Sequence, residues 1–401
     1  MRLIIVINYP NNLSGSASKG RFMYLAEMFA ERGHQVELIT SDFEHGAKSR
    51  RKPESVNQTA YKTHIKMLHE PGYKKNISLR RLYSHWLWGR NVYKYLKSKE
   101  KPDLVYCAVP SLTAAKLAAK YCKKNNVKYV TDVQDLWPEA FCMAIHNKLL
   151  QKAFLPMQHV ANQIYANSDL AVAVSDTYVN RTLSVNKKNV KGLSVCLGND
   201  GGLFESKKGR YNVEKNENEL LLCYIGGLKD SYDIPCVIDA MALVKANKQL
   251  KQQIRFVIIG DGPLRPRFEQ YSKEKQINCT FLGRRPYIEM ASLLCSCDIC
   301  VNPIVKGSAA SIINKVGDYA LSGLPVINTQ ESQEYRALID EYQCGINCEC
   351  GNANQVADAI IKLASNPDLR NQMGVGSLRL AEEKFDRRST YLNIIEAIES
   401  L

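Results

Sequence analysis

Two doubly wound α/β domains are predicted, from three features of the chain. Short apolar runs rich in β-branched residues, such as residues 2–8 and 254–259, alternate with longer stretches of helical period. The alternation stops once, at a turn cluster over 197–204 and a polar, charged run over 205–218, and then begins again. The 401 residues suffice for two full cores. The expected division is a first domain over 1–200, a linker over 201–218 and a second domain over 219–385, with a C-terminal helix over about 386–401 packed back on the first.

Residues 2–8 read as a buried strand with an abrupt polar end. A small-residue loop over 9–20 follows, then a helix marked by Phe22, Leu25, Ala26 and Phe29 that stops at Gly33, then a strand over 35–40. The loop stands at the carboxyl end of the first strand, where such sheets bind ligands, so Gly15 and Ser16 become candidates for close backbone approach to an acceptor or phosphate. G-x-G-x-x-G is absent, which argues against a dinucleotide fingerprint. Residues 42–63 read as an irregular surface excursion. Residues 71–102 hold Leu79, Leu82, Tyr83, Trp86, Tyr93 and Leu96 at helical period among nine Lys and Arg, with Glu100 the one acid. Such a helix either faces its aromatics into the core or lays them on an anionic membrane. Further strands are expected at 104–108, 127–131, 170–174 and 194–197. The fourth strand's carboxyl end carries Asp132 and Asp135 ahead of Trp137-Pro138-Glu139; Asp135 is the candidate base or hydroxyl-binding carboxylate, against helix capping as the plain alternative.

In the second half, strands over 220–225, 254–259 and 279–282 end in Gly226-Gly227-Leu228-Lys229, Gly260-Asp261-Gly262 and Gly283-Arg284. Three successive strand ends thus bring glycines and cations to one edge. A strand over 298–303 then leads to a helix across 311–322. Its core stripe is Ile312, Val316, Tyr319 and Ala320; its polar stripe is Ser311, Asn314, Lys315 and Asp318. Ser308 or Ser311 caps the start and Gly323 closes the end. Free amides at the helix start, a cation one turn in and a carboxylate beyond suit a nucleoside diphosphate, with phosphate on the amides and ribose on Asp318.

The net charge of +14 points to an acidic partner: phosphorylated small molecules, an anionic membrane or nucleic acid. No nucleic-acid motif is present, so no nucleic-acid partner is expected. The first residues are too short and end too polar for a signal peptide, which leads to the expectation of a cytoplasmic protein with thirteen reduced cysteines. Cys295, Cys297 and Cys300 with Cys344, Cys348 and Cys350 could ligate zinc, but core packing is the better reading, and no metal is expected.

These stretches, taken in order, resemble a family 4 retaining glycosyltransferase of the GT-B fold, in its polysaccharide-assembly branch. The resemblance rests on Gly198-Asn199-Asp200, Gly260-Asp261-Gly262-Pro263-Leu264, Phe281-Leu282-Gly283-Arg284, residues 314–326 and residues 132–139, and spans nearly the whole chain. It implies two Rossmann-like domains facing across a cleft, the second binding a nucleotide sugar, UDP before GDP, and the first binding the acceptor. Transfer would retain the anomeric configuration without a metal or other cofactor. The resemblance places catalytic roles on Lys315, Asp135 and Lys229. It places donor binding on Gly226, Gly227, Gly260, Gly262, Arg284, Ser308, Ser311, Asn314 and Asp318. It further implies a lipid-diphosphate-linked saccharide acceptor, capsule, O-antigen or exopolysaccharide synthesis, and peripheral attachment to the inner face of the cell membrane. Two positions depart from the family pattern: Ala310 replaces an acid on the donor helix, and Gly227 stands where many members have arginine. These departures keep open a non-catalytic partner of another glycosyltransferase; a nucleotide-sugar epimerase of the same fold is the other alternative, though its pattern of catalytic acids and a histidine is not found.

Overall fold

The computed structural model describes the chain except residues 11–12, 16–18, 53, 55, 77, 140–151, 207, 248–249 and 308–311. It forms two compact units, Met1–Cys196 with Tyr391–Leu401, and Leu197–Thr390.

The first unit is built on a sheet of seven strands, β1 (Arg2–Val6), β2 (Gln35–Ser41), β5 (His64–Leu68), β6 (Leu104–Val109), β7 (Lys128–Val133), β8 (Leu170–Ala173) and β9 (Gly192–Ser194), with β3 (Phe43–Glu44) and β4 (Ser49–Arg50) forming a separate antiparallel pair. They pair in the order β5-β2-β1-β6-β7-β8-β9, every pair parallel. Successive side chains leave opposite faces, so Leu3 and Ile5 join one core cluster while Ile4 and Val6 join the other. The first cluster is covered by α1 (Arg21–Glu31) and, from the far end of the chain, by Ile394, Ile395 and Ile398. The second is covered by α2 (Leu79–Ser98), α3 (Leu112–Asn125) and α4 (Leu155–Ala166). Helices on both faces explain why the inner strands are almost continuously apolar. Gly89 lets α2 cross α3 closely: a Cβ there would lie 2.8 Å from the Ala114 nitrogen.

The second unit repeats the plan with β10 (Glu219–Ile225), β11 (Gln253–Ile259), β12 (Cys279–Phe281), β13 (Ile299–Asn302), β14 (Val326–Asn328) and β15 (Gly345–Asn347). The order is β12-β11-β10-β13-β14-β15, again all parallel. In both sheets the order reverses once, between β1 and β6 and between β10 and β13, and ligands of such folds bind outside the strand ends at that reversal.

Four expectations are corrected. The stretch over 201–218 is not a free linker: the Tyr211 and Val213 amides donate to Ser292 Oγ and Ser296 Oγ, and Lys215 pairs with Asp298. These contacts tie the run to the second unit, and the two units divide at 196/197 and 390/391. The strand expected over 194–197 lies at Gly192–Ser194. Strands β5 and β15 were not expected, because His-Ile-Lys-Met-Leu and Gly-Ile-Asn are too short to establish a period. The aromatic stripe of α2 is split. Trp88, Val92 and Leu96 are fully buried, whereas Leu79, Leu82, Tyr83 and Trp86 are exposed at 84%, 55%, 47% and 44%.

Candidate active site

The helix expected to bind the donor is α5 (Lys315–Ser322); a helix over Tyr287–Cys295 precedes it in the second unit. It is shorter than expected. Ser308, Ser311 and Ala310 lie outside the described residues, and Asn314, exposed, precedes the first helical residue without a side-chain cap. Lys315 therefore opens the helix rather than sitting one turn in. Gly323 ends it at φ +70, a conformation that costs a residue with a Cβ. Tyr319 anchors it to the sheet reversal: its hydroxyl donates to the Val301 carbonyl at 3.1 Å and accepts from the Ile225 amide at 3.3 Å, on β13 and β10.

From this anchored helix Lys315 reaches the end of β10. Its Nζ donates to Tyr224 Oη at 3.0 Å and stands 4.2 and 3.7 Å from the ring centroids of Tyr224 and Tyr232. A Cβ at Gly226 would sit 2.3 Å from that Nζ, so glycine at φ +131 makes the room the ammonium occupies. Burial lowers the Lys315 pKa to about 7, against an opposing pull from Asp318. The neighbouring turns interlock by backbone alone: a Cβ on Gly260 would fall 1.8 Å from the Gly226 oxygen, and one on Gly262 2.2 Å from the Leu228 oxygen. Lys229 is exposed, and its Cε approaches a Gly227 Cβ position to 3.6 Å. Arg284 is exposed just after Gly283, itself at φ +72. The turns after β10 and β11 thus meet at one edge of the sheet with a partly desolvated cation among glycines, and Gly283 and Arg284 follow β12 at the same edge. Electrostatically this is a setting for a compact anion.

Asp318 departs from expectation. Its Oδ1 accepts from Asn199 Nδ2 at 2.6 Å and Tyr287 Oη at 2.7 Å, and the residue is 8% exposed. Burial raises its pKa to about 7, while the Tyr287 bond, Arg387 and Lys315 pull the other way. Through Oδ1 the carboxylate fastens this helix to the Gly198-Asn199-Asp200 turn and to Tyr287. Helix periodicity could not foresee this, since both donors come from distant segments.

The sheet end of the first unit is filled instead by side chains. Asn8 Nδ2 and Ser84 Oγ donate to the fully buried Glu70 at 2.9 and 2.7 Å, and Ser111 Oγ donates to Asn8 Oδ1 across the β1–β6 reversal. Tyr9 Oη meets Tyr73 Oη at 2.9 Å and His85 Nε2. Burial, helped by Arg81 and His45, lowers the His85 pKa to about 3, so the imidazole is neutral. Its ring lies parallel to Trp137, and the Arg81 guanidinium sits 4.7 Å from the Trp137 centroid. Asp132 is structural: it accepts from Arg21 Nε at 2.7 Å, Tyr106 Oη at 2.6 Å and Gln134 Nε2 at 2.7 Å. Asp135 is exposed, although the chain around it still raises its pKa by desolvation. The Gly15 amide is not open to a phosphate, because it donates to Tyr61 Oη at 3.0 Å; Ser16 lies outside the described residues.

Among the described residues, no three His, Cys, Asp or Glu are placed to hold a metal ion. Five of the six clustered thiols, all but Cys295, hydrogen-bond within the protein, to backbone carbonyls or, for Cys300, to Ser322 Oγ.

Comparison with known proteins adds to this picture. The sequence pattern described as Glycosyltransferase Family 4 matches residues 21–190, and that described as Glycosyl transferases group 1 matches residues 206–377. The N-acetyl-alpha-D-glucosaminyl L-malate synthase of Bacillus anthracis is 25% identical over 225 residues, 54% of this chain and 56% of that protein, so the match spans about half of each. The fold superposes on HepE of Anabaena, solved in complex with UDP, with a TM-score of 0.70, 14% identity and full coverage of both chains. It superposes on sucrose-phosphate synthase of Thermosynechococcus elongatus with a TM-score of 0.69 and 16% identity, covering 100% of this chain and 99% of that one. The two family patterns divide between the two parallel-sheet units, and the chain belongs to the group 1 glycosyltransferases of the GT-B fold.

Proposed function

We propose that the protein moves a sugar, with retention, from a UDP-sugar to a lipid-linked saccharide in surface polysaccharide synthesis. The observation that carries the donor half is the Lys315 ammonium held between Tyr224 and Tyr232 against Gly226, at the reversal of the second sheet. It stands where a departing diphosphate gains charge, the most productive place for a fixed cation. It also offsets the missing arginine at Gly227. Lys229 and Arg284 are the exposed cations that complete the neutralisation, and Gly260 and Gly262 keep side chains out of the phosphate path. The C1–O bond to the diphosphate breaks as the acceptor oxygen bonds C1 on the same face, and the acceptor proton passes to the leaving phosphate oxygen. Asp135 orients the acceptor. No metal is required by this arrangement of cations. HepE, solved with UDP, favours uridine as the base.

The acceptor half is supported by the exposed face of α2, where Leu79, Leu82, Tyr83 and Trp86 emerge among arginines. Arg80 covers the Tyr83 ring and Arg90 the Trp86 ring. Apolar bodies with cationic tips suit the inner, anionic membrane surface, where the lipid-linked acceptor would be met. Among the described residues, no helix is long and apolar enough to cross a membrane.

The test is a thermal-shift series with UDP, GDP and UDP-sugars, followed by assay of nucleoside diphosphate release with lipid-linked acceptors. A ligand of the folded state raises the midpoint according to its affinity. UDP is expected to raise it in wild type and not in Lys315→Ala. An equal shift in both would remove Lys315 from the donor site, and release without an extended acceptor would remove transfer.

A further inference from the structure

Behind the Lys315 ammonium runs a buried hydrogen-bonded network that serves no step of the transfer chemistry and ends on the Tyr232 ring. The last residues of β13, β14 and β15 are Asn302, Asn328 and Asn347, side by side in register. Asn302 Nδ2 donates to Asn328 Oδ1, and Asn328 Nδ2 to Asn347 Oδ1, each at 2.9 Å. This ladder ties three strand ends together. Thr329, 1% exposed, comes directly after it. Its amide donates to the Asn302 carbonyl at 3.1 Å, and its Oγ1 accepts from the Ile304 amide at 2.9 Å. The hydroxyl proton faces the Ile304 and Asn302 carbonyls, at 3.2 and 3.4 Å. Ile304 in turn forms an antiparallel bridge with Tyr232. There the Asp233 amide donates to the Pro303 carbonyl and the Val305 amide to the Ser231 carbonyl, each at 3.1 Å. On the other side Asp233 Oδ1 caps the helix over Ile234–Ala246. Tyr232 is thus held from both directions, with its ring centroid 3.7 Å from Lys315 Nζ.

We propose that Thr329 is a positioning residue of the donor site: by fixing Ile304 it holds the Tyr232 ring against the Lys315 ammonium, and so governs how that ammonium meets a diphosphate. The link to a diphosphate rests on the reading of Lys315 as the donor-site cation. Valine has the shape of threonine, but it neither accepts from the Ile304 amide nor donates to a carbonyl. Thr329→Val therefore leaves a buried amide unpaired at the bridge, and the segment over 303–305 can part from that over 231–233. The ring then withdraws and water reaches Nζ. Burial is the main cause of the lowered Lys315 pKa, about 7, so hydration moves it up. The titratable groups that face Lys315 are Tyr224 and Tyr232, both kept protonated by burial, and Asp318.

The experiment follows the Lys315 titration in the whole protein, without UDP, by NMR of lysine labelled at Cε, the signal being assigned by its loss in Lys315→Arg. Asp318 titrates in the same range and is followed through its own carboxyl signal. Thr329→Val should raise the Lys315 midpoint by about one pH unit, and Thr329→Ser, which keeps the hydroxyl, should restore the wild-type value. Tyr232→Leu should raise it as well. Adding Thr329→Val to Tyr232→Leu should raise it no further, because both changes remove the same ring contact. A threonine that serves stability alone would lower the melting midpoint and leave Lys315 where it is. A Thr329→Val titration that does not rise, or a fully additive rise in the double variant, overturns the proposal. Hydrogen exchange in wild type guards against misfolding of the variants. Saturating UDP should slow the Ile304, Asp233 and Val305 amides by roughly tenfold, since coupling between sites is reciprocal. Unchanged rates overturn the coupling to the donor. Failure of wild type to bind UDP at all would instead sink the donor reading, which the titration without UDP does not use.

Discussion

The carboxyl ends of the two sheets have the same topology and opposite contents. In the second unit the reversal is lined by Gly226, Gly260 and Gly262, packed backbone on backbone, with the Lys315 ammonium between two tyrosines. In the first it is filled by Asn8, Ser111, Glu70, Tyr9 and His85, and next to it Arg21 is locked to Asp132. Both sheets provide a crevice at the reversal. The difference shows how one plan can carry two kinds of lining. Glycines leave backbone and one under-solvated cation for an anion, whereas a satisfied side-chain network makes a shaped polar wall. The cation is costly to hold free, and binding an anion relieves that cost.

The largest expected effect lies in the first unit. Arg21 also donates to the Val195 and Cys196 carbonyls, at 3.0 Å each, so Arg21→Met would orphan a buried carboxylate and two carbonyls. Breaking such a pair costs about 3–5 kcal/mol. Chemical denaturation should show that loss in the first unit, with the UDP-induced shift of the remaining folded protein intact. A lost UDP response would mean that the two sheet ends are less independent than the comparison holds. Next is Lys315→Ala, expected to lower turnover by about 10²–10³-fold, the scale of one fixed group that stabilises transition-state charge. A change confined to KM would make Lys315 a ground-state contact only.

Smaller is Gly260→Ala, which drives a methyl into the Gly226 oxygen and should destabilise by about 1–3 kcal/mol. Gly33→Ala is its control: no atom lies within 4 Å of the new Cβ, so only its φ of +88 opposes the change, at roughly 1 kcal/mol. Equal midpoints for the two variants would refute the interlocked-turn account.

The smallest effect is on pH dependence. Lys315, lowered to about 7 from 10.5, is largely neutral above that value in the free protein, and the folded state gains stability from it as pH rises from 7 towards 10.5. A bound diphosphate would recharge it. UDP affinity should therefore fall as pH rises from about 7 to 9, by at most tenfold per pH unit, with near one proton taken up per UDP. Asp318 has the opposite sign in a lower window: its folded pKa of about 7 exceeds the ordinary 3.8, so stability declines as pH rises from 4 to 7. Calorimetry in buffers of different ionisation enthalpy measures the uptake, and Lys315→Arg, which stays charged, should abolish it. Persistence of the uptake in that variant would assign the proton to another group.

Local pattern made much of this legible. Alternating apolar runs located most of the strands, and the glycines at 226, 260 and 283 stood out because strand ends of a parallel sheet share one edge. Gly323 was readable as a helix stop because only a left-handed terminus asks for glycine there. What local pattern could not supply was the inward or outward sense of groups whose partners are remote in the chain. Lys315 and Asp318 share a stripe by helical spacing, yet one meets Tyr224 and Tyr232 from the β10 side and the other Asn199 and Tyr287. Trp86 and Trp88 are two residues apart, and only the crossing of α2 over α3 at Gly89 decided which is buried. Fold class follows from periodicity, which each segment carries within itself. The chemistry of a site depends on desolvation and hydrogen-bond partners, which exist only once distant segments have been brought together.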